Sequence, residues 1–95
     1  MKISVIIVSY NCKAFLDYCL QSVSKALKQI DSEILVIDNC STDGSVEYLK
    51  SKKYDFRIIE NKENLGFSKA NNKAAKLAKG EYLFFLNPDT IIPED

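Results

Sequence analysis

Near its start the sequence reads Ile3-Ser4-Val5-Ile6-Ile7-Val8, a run in which every apolar residue is β-branched. A half-exposed strand alternates apolar and polar residues, whereas a strand buried on both faces of a parallel sheet reads as an almost unbroken apolar run. The stretch therefore predicts a central strand of a parallel sheet.

Outward from this strand, helical and strand patterns alternate along the chain. Apolar residues recur every three or four positions from Phe15 to Leu27, which predicts an amphipathic helix over about residues 13–28. Two further apolar runs predict buried strands, at residues 34–37 and 82–86, and residues 54–60 predict another strand between them. The order of elements is that of an α/β layer in which helices connect parallel strands.

Two shorter helices complete the pattern. One follows the cluster of turn formers that ends in Ser45. The other follows Gly66 and presents alanines to the sheet, and we expect Gly80 to end it, because glycine commonly closes helices.

Charge and cysteine content exclude several classes of protein. The 95 residues carry 13 Lys+Arg and 13 Asp+Glu, so no net positive charge favours nucleic acid. No apolar run approaches the roughly 20 residues of a membrane span, and we expect no signal peptide. The three cysteines lack CxxC spacing and there is no histidine, which argues against a zinc site and a His-activated nucleophile. A reduced, cytoplasmic setting is expected.

Polar segments follow three of the predicted strands: Ser9-Tyr10-Asn11, Asp38-Asn39 and Asn87-Pro88-Asp89. In sheets of this kind, ligands bind outside the carboxyl ends of the strands. The three segments are therefore expected to converge on one edge and form the candidate site.

Asp38 and Tyr10 each allow two interpretations. A desolvated Asp38 carboxylate can accept an N–H of a pyrimidine or a ribose hydroxyl, or it can start the turn and cap the following helix. Tyr10 can stack on a base, or it can be a half-buried aromatic at the rim of the sheet.

Three other positions are equally open. Asp89 can hold Mg²⁺ or Mn²⁺ against a departing diphosphate, although Asn-Pro-Asp-Thr is also a turn sequence. Gly66 supplies a positive φ or close packing, or lets a ligand approach. Asn72, in an Ala-rich helix, has a polar role or is simply exposed.

Two familiar nucleotide motifs are absent. The turn after the first strand contains no glycine, so the GxGxxG dinucleotide motif is missing, and no GxxxxGK[ST] loop exists in the chain. Oxidoreductases with this motif and P-loop NTPases are therefore disfavoured.

Four segments together closely resemble the family 2 inverting glycosyltransferases, which have the GT-A fold. In chain order these are residues 5–11 (VIIVSYN), 36–45 (VIDNCSTDGS), 64–72 (NLGFSKANN) and 80–90 (GEYLFFLNPDT). The resemblance implies a Rossmann-like GT-A half domain with a largely parallel sheet. It also implies transfer of a sugar from a nucleoside-diphosphate sugar to an acceptor, with inversion at the anomeric carbon, in glycan or polysaccharide biosynthesis.

The resemblance also implies roles for individual residues. Asp89 occupies the family's DxD position and would hold Mn²⁺ or Mg²⁺, with Asn87 in place of the first carboxylate. This Asn-Pro-Asp version resembles a rhamnosyltransferase-like branch, and the expected donor is UDP- or dTDP-linked. The residues implied to bind nucleotide are Ser9, Tyr10, Asn11, Asp38, Asn39, Gly66, Asn72 and Asn87.

In this family the inverting base lies well beyond the DxD position, which here means beyond Asp95. Residues 1–95 would then be the nucleotide-sugar-binding N-terminal part of a GT-A domain, inactive alone and without the half that binds a glycan or lipid-linked acceptor. The parent enzyme could dock peripherally at a membrane. An incomplete sheet would expose an edge and favour self-association. The alternative is a non-catalytic nucleotide-binding or interaction module of the same fold.

Overall fold

The computed structural model describes residues 2–11, 13–51 and 56–86. Its elements are β1 (Ile3–Ser9), α1 (Lys13–Ala26), β2 (Ser32–Asp38), α2 (Ser45–Ser51), β3 (Arg57–Glu60), α3 (Phe67–Leu77) and β4 (Tyr82–Leu86). The four strands form one parallel sheet in the order β3-β2-β1-β4. The predicted alternation and the parallel sheet are confirmed, while residues 54 and 55 of the predicted third strand lie outside the described residues.

The first strand is central, as its composition predicts, because β1 pairs with β2 on one side and β4 on the other. Alternate side chains of β1 enter two different layers of the core. Val5 and Ile7 pack on the side of α1, whereas Ile6 and Val8 pack on the side of α3. This double burial explains why five of the seven residues of the strand are aliphatic, since each buried aliphatic side chain stabilises the fold by about 1.5–3 kcal/mol.

The two longer helices cover opposite faces of the sheet. α1 buries Leu16, Leu20 and Val23 along one stripe, and it ends two residues before the predicted boundary. α3 buries Ala70 and Ala74, which are four residues apart and so lie on one face of the helix. Their small side chains let α3 lie close to the sheet.

β4 forms the predicted strand, but it is not buried as predicted. It is an edge strand, and Tyr82, Phe84 and Phe85 all remain exposed. Its apolar composition is typical of burial, but among the described residues only β1 pairs with it. Burial depends on a second neighbour that local sequence does not encode, so this prediction is wrong for the chain as it stands.

Gly80 does not end α3, which is a second correction. The helix ends at Leu77, and Ala78 is its extended C-cap residue. Gly80 instead makes a close approach to β1: a Cβ at this position would lie 2.5 Å from the backbone nitrogen of Ser4. The Gly80 N–H also donates to Ser4 Oγ at 2.8 Å. The glycine is therefore required by packing.

The helices of the described ranges are short. None of them is both long enough and apolar enough to cross a membrane.

Candidate functional site

The carboxyl ends of three strands meet at one edge of the sheet. Ser9 is in register with Asp38, and Asp38 is in register with Glu60. The ladder continues just past the strands, where Asn39 N–H donates to Ser9 O at 2.8 Å and Asn61 N–H donates to Asp38 O at 2.9 Å. The predicted convergence of the first two polar segments is thus present, while Asn87, Pro88 and Asp89 lie outside the described residues.

Asp38 is only 1% exposed, and within the described part of the chain Ser41 donates to both oxygens of its carboxylate. Oδ2 accepts the Ser41 backbone N–H at 2.9 Å, and Oδ1 accepts the Ser41 hydroxyl at 2.6 Å. This is the turn-forming role that the sequence allowed. A carboxylate has about four lone-pair sites, so Ser41 leaves capacity for a ligand donor and the binding role stays a prediction.

Ser41 also ties the loop after β1 to the loop after β2. Its Oγ accepts the Asn11 N–H at 3.0 Å, and Asn11 Oδ1 accepts the Thr42 N–H at 2.7 Å. Asn11 adopts φ +49°, a left-handed conformation that Asn tolerates better than most residues. Ser41 is not among the predicted site residues, although a serine three residues after an aspartate is a recognisable turn signal.

Tyr10 directly follows β1 at the carboxyl end of the sheet. It lies between Ser9, which is buried, and Asn11, which is exposed. It is 50% exposed, which fits a rim aromatic and leaves part of the ring available for stacking. The structure therefore agrees with one interpretation of Tyr10 and leaves the other as a prediction.

Asn39 uses its side chain within the protein. Its Oδ1 accepts Asn61 Nδ2 at 3.0 Å and the Leu65 N–H at 3.1 Å, and its Nδ2 donates to Gly66 O at 3.2 Å. The Asn39 amide thereby fixes the loop that leads into α3. Asn61 is a site neighbour without a predicted role, since a polar residue in a polar loop gives no sign of its burial.

Gly66 is the N-cap residue of α3, with φ +80° and ψ 170°. This backbone region is essentially restricted to glycine, so the predicted positive φ is confirmed. A Cβ here would meet nothing within 4 Å, which shows that close packing is not the reason for the glycine. The space beside Gly66 is open to a ligand.

Asn72 lies further along the same helix and is exposed. Six residues separate it from Gly66, which corresponds to about 9 Å along the helix axis. Its predicted binding role is compatible with this position and stays a prediction.

A cavity of about 270 Å³ opens directly beside Asp38. Its walls come from the loop after β2, from α2 and from the end of β3, and they include Cys40, Ser41 and Asn61. Lys50 and Glu60 form an ion pair of 3.2 Å in the same wall. The volume is close to the ~300 Å³ at which small-molecule sites begin.

Asp43 caps two helices at once beside this site. Its Oδ2 accepts the Lys13 N–H at 3.0 Å, at the start of α1. Its Oδ1 accepts the Ser45 N–H at 3.0 Å and also the Ser45 hydroxyl, at the start of α2. Burial raises the pKa of Asp43, but the hydrogen bonds from Ser45 and Lys13 outweigh it and hold the pKa below its ordinary value. A negative charge at two helix N-termini is favourable.

Residues 2–11, 13–51 and 56–86 contain no group of three or more Cys, Asp or Glu side chains able to hold a metal ion. The predicted metal ligand, Asp89, lies outside these ranges, so its metal role stays a prediction.

Comparison with known proteins gives a family and a fold. Residues 4–95 match Glycosyl transferase family 2. Over 97% of its length the chain is 40% identical to a poly(ribitol-phosphate) beta-glucosyltransferase of Bacillus spizizenii, of which it covers 15%.

Solved structures share the fold. The chain superposes on Staphylococcus aureus TarS in complex with UDP-GlcNAc with a TM-score of 0.84 and 31% identity, covering 94% of this chain and 27% of that one. It superposes on a mannosyltransferase of Pyrobaculum calidifontis in complex with GDP-Man and Mn²⁺ with a TM-score of 0.87 and 23% identity, covering 97% and 28%. The chain thus spans less than a third of the length of each of these proteins.

Proposed function

The chain belongs to glycosyl transferase family 2, and from that membership we propose that it is the donor-binding part of an enzyme that transfers a sugar from a nucleoside diphosphate to an acceptor, with inversion at the anomeric carbon. The observation that carries the proposal is the meeting of Tyr10, Asp38 and Gly66 at one edge of a parallel sheet. Such an edge is where ligands bind in this class of fold.

In this proposal three features hold the nucleoside. The half-exposed ring of Tyr10 stacks on the base. Asp38 accepts a base N–H through the lone pairs that Ser41 leaves unused. The open space beside Gly66 lets the donor approach the backbone closely. Ser9, Asn11 and Asn39 support these contacts by fixing the loops around them.

Asn87, Asp89 and Asn72 complete the proposed site. Asp89 would hold Mn²⁺ or Mg²⁺, and the mannosyltransferase solved with Mn²⁺ supports the use of a divalent ion. When bound, such an ion offsets the negative charge of a diphosphate leaving group. The complex of TarS with UDP-GlcNAc supports a uridine donor, and a dTDP-linked donor remains the other candidate.

The remaining chemistry belongs to residues beyond this chain. We propose that a carboxylate base and the acceptor site lie after Asp95, and that the acceptor is a glycan or a lipid-linked glycan handled in the cytoplasm at the membrane surface. The naming of one relative as a poly(ribitol-phosphate) glucosyltransferase supports a cell-wall polymer as the acceptor class. The chain alone would then be inactive, and its exposed β4 edge would favour self-association.

Calorimetric titration of the chain with UDP, dTDP and GDP, each with and without Mn²⁺, tests the proposal. We expect binding of UDP or dTDP that strengthens with Mn²⁺, and weaker binding of GDP because the guanine ring is larger than a pyrimidine and the cavity beside Asp38 measures only about 270 Å³. Absence of binding by a sample with a cooperative thermal transition would refute the proposal for this chain. Binding that is identical with and without Mn²⁺ would refute the metal role of Asp89.

A further inference from the structure

Asn61 lies next to the candidate site and connects β2, β3 and α3 through its hydrogen bonds. It follows β3 and is 6% exposed, and its backbone N–H donates to Asp38 O at 2.9 Å. Its side-chain Nδ2 donates to Asn39 Oδ1 at 3.0 Å, and its Oδ1 accepts Lys73 Nζ of α3 at 2.6 Å. One buried amide therefore connects the ends of β2 and β3 with α3.

Asn39 carries this connection onward to the turn before α3. Its Oδ1 accepts the Leu65 N–H and its Nδ2 donates to Gly66 O. If the Asn39 amide were reversed, its NH₂ group would face the Leu65 N–H and its oxygen would face the Gly66 carbonyl, so neither pair could bond. The donation from Asn61 to Asn39 Oδ1 favours the one orientation that satisfies both.

Lys73 likewise fixes the orientation of the Asn61 side-chain amide. The Lys73 ammonium can only donate, so it holds the oxygen of the Asn61 amide toward α3 and leaves the NH₂ group directed at Asn39. The order Lys73, Asn61, Asn39, Gly66 is a chain in which each donor sets the orientation of the next group. It ends at the residue whose open side faces the proposed donor.

We infer that Asn61 is a positioning residue for donor binding, which acts through Asn39 to hold the Leu65–Gly66 turn in its binding conformation. This role rests on the proposed function and deepens it. The physical reason is preorganisation: a turn that is fixed before binding does not have to be ordered by the ligand, so less of the interaction free energy is lost. Asn61 itself contacts neither base nor sugar in this scheme.

The test compares Asn61→Ala and Lys73→Met with a matched control, Ser4→Ala. Ser4 is also buried and hydrogen-bonded, to Glu33 and Gly80, but it lies at the other end of β1, about 16 Å from Ser9. Loss of stability is expected in both Asn61→Ala and Ser4→Ala, so stability alone cannot separate them. Lys73 is exposed, and Lys73→Met folds even if Asn61→Ala does not.

Two readouts are taken at a temperature at which every variant is folded: affinity for UDP, dTDP and GDP with Mn²⁺, and hydrogen exchange of the Leu65 amide. We expect Asn61→Ala to lower affinity about fivefold to tenfold and Lys73→Met about threefold, with no change for Ser4→Ala. The Leu65 amide should exchange faster in the first two variants only.

Equal nucleotide affinity in the wild type and Asn61→Ala would overturn the inference and leave the proposed function intact. The same holds if Ser4→Ala weakens binding as much as Asn61→Ala, because the effect would then be general loosening. A folded wild type that binds none of the three nucleotides would overturn the proposed function, and the positioning role with it.

Discussion

Ser41 donates two hydrogen bonds to the carboxylate of Asp38, one from its backbone N–H at 2.9 Å and one from its hydroxyl at 2.6 Å. The same hydroxyl accepts the N–H of Asn11 at 3.0 Å. A single serine therefore holds the proposed base-binding carboxylate in place and fixes the loop that carries Tyr10. The positions of Asp38 and Tyr10 therefore depend on Ser41, a residue that is not expected to contact the ligand.

Replacing Ser41 with alanine removes one bond to Asp38 and leaves the Asn11 N–H without its acceptor. We expect the free energy of unfolding to fall by about 1–3 kcal/mol, since hydrogen bonds to charged groups exceed the average. Urea denaturation measures it. The control is Ser51→Ala, which removes an exposed hydroxyl bound to the Tyr48 carbonyl and should change stability by less than about 0.5 kcal/mol. Equal losses in the two variants would contradict the role of Ser41.

Asp43→Asn should destabilise the protein by about 1 kcal/mol at neutral pH, because an amide can replace only one of the carboxylate oxygens that cap α1 and α2. The folded pKa of Asp43 lies below its ordinary value of 3.8. Its contribution is therefore fully present above the unfolded pKa and is lost as pH falls through the folded pKa.

The stability difference between wild type and Asp43→Asn should accordingly narrow below about pH 4, as urea denaturation from pH 7 to pH 3 would reveal. Glu33 is common to both proteins: burial raises its pKa, but hydrogen bonds from Ser4 and Lys79 lower it overall, so its effect cancels in the difference. A difference that is constant with pH would show that the charge of Asp43 is unimportant.

Tyr10→Ala should weaken UDP or dTDP binding by about 1–3 kcal/mol if the ring stacks on the base, with little change in thermal stability because half of the residue is exposed. Tyr18→Ala is a close control, since Tyr18 is 45% exposed but lies on α1 away from the strand ends. Titration calorimetry compares the two variants. Unchanged affinity in Tyr10→Ala would leave Tyr10 as a rim aromatic only.

If the chain self-associates through β4 as proposed, Phe84→Lys should suppress that association, because a charged residue on an exposed edge strand disfavours pairing with another chain. Phe84 is 62% exposed, so the substitution adds little strain. Sedimentation velocity at increasing concentration measures the change. Phe15→Lys, at a 48% exposed position on α1, is the matched substitution and should leave association as in the wild type. If both variants associate like the wild type, β4 is not the interface.

The helices and strands could be predicted because they follow from the spacing of apolar residues along the sequence. The meeting of Ser9-Tyr10-Asn11 with Asp38-Asn39 could be predicted because the carboxyl ends of parallel strands lie at the same end of a sheet. Contacts between distant residues were harder to foresee. Gly80 shows why: the close approach to Ser4 that requires it is made across 76 residues, whereas a glycine near a helix end is most simply interpreted locally as a cap. The exposure of β4 and the burial of Asn61 likewise depend on which neighbours are present.

The pairing of β1 with β4 also sets an order of events during synthesis. Of the described elements, the central strand β1 leaves the ribosome first, whereas its second neighbour, β4, leaves last. At translation rates of roughly 5–20 residues per second, the 76 residues between Ser4 and Gly80 correspond to a delay of about 4 to 15 s. Throughout that interval β1, the most deeply buried of the described strands, has at least one open edge, so a nascent chain of this kind is most exposed to misassociation before Tyr82 emerges.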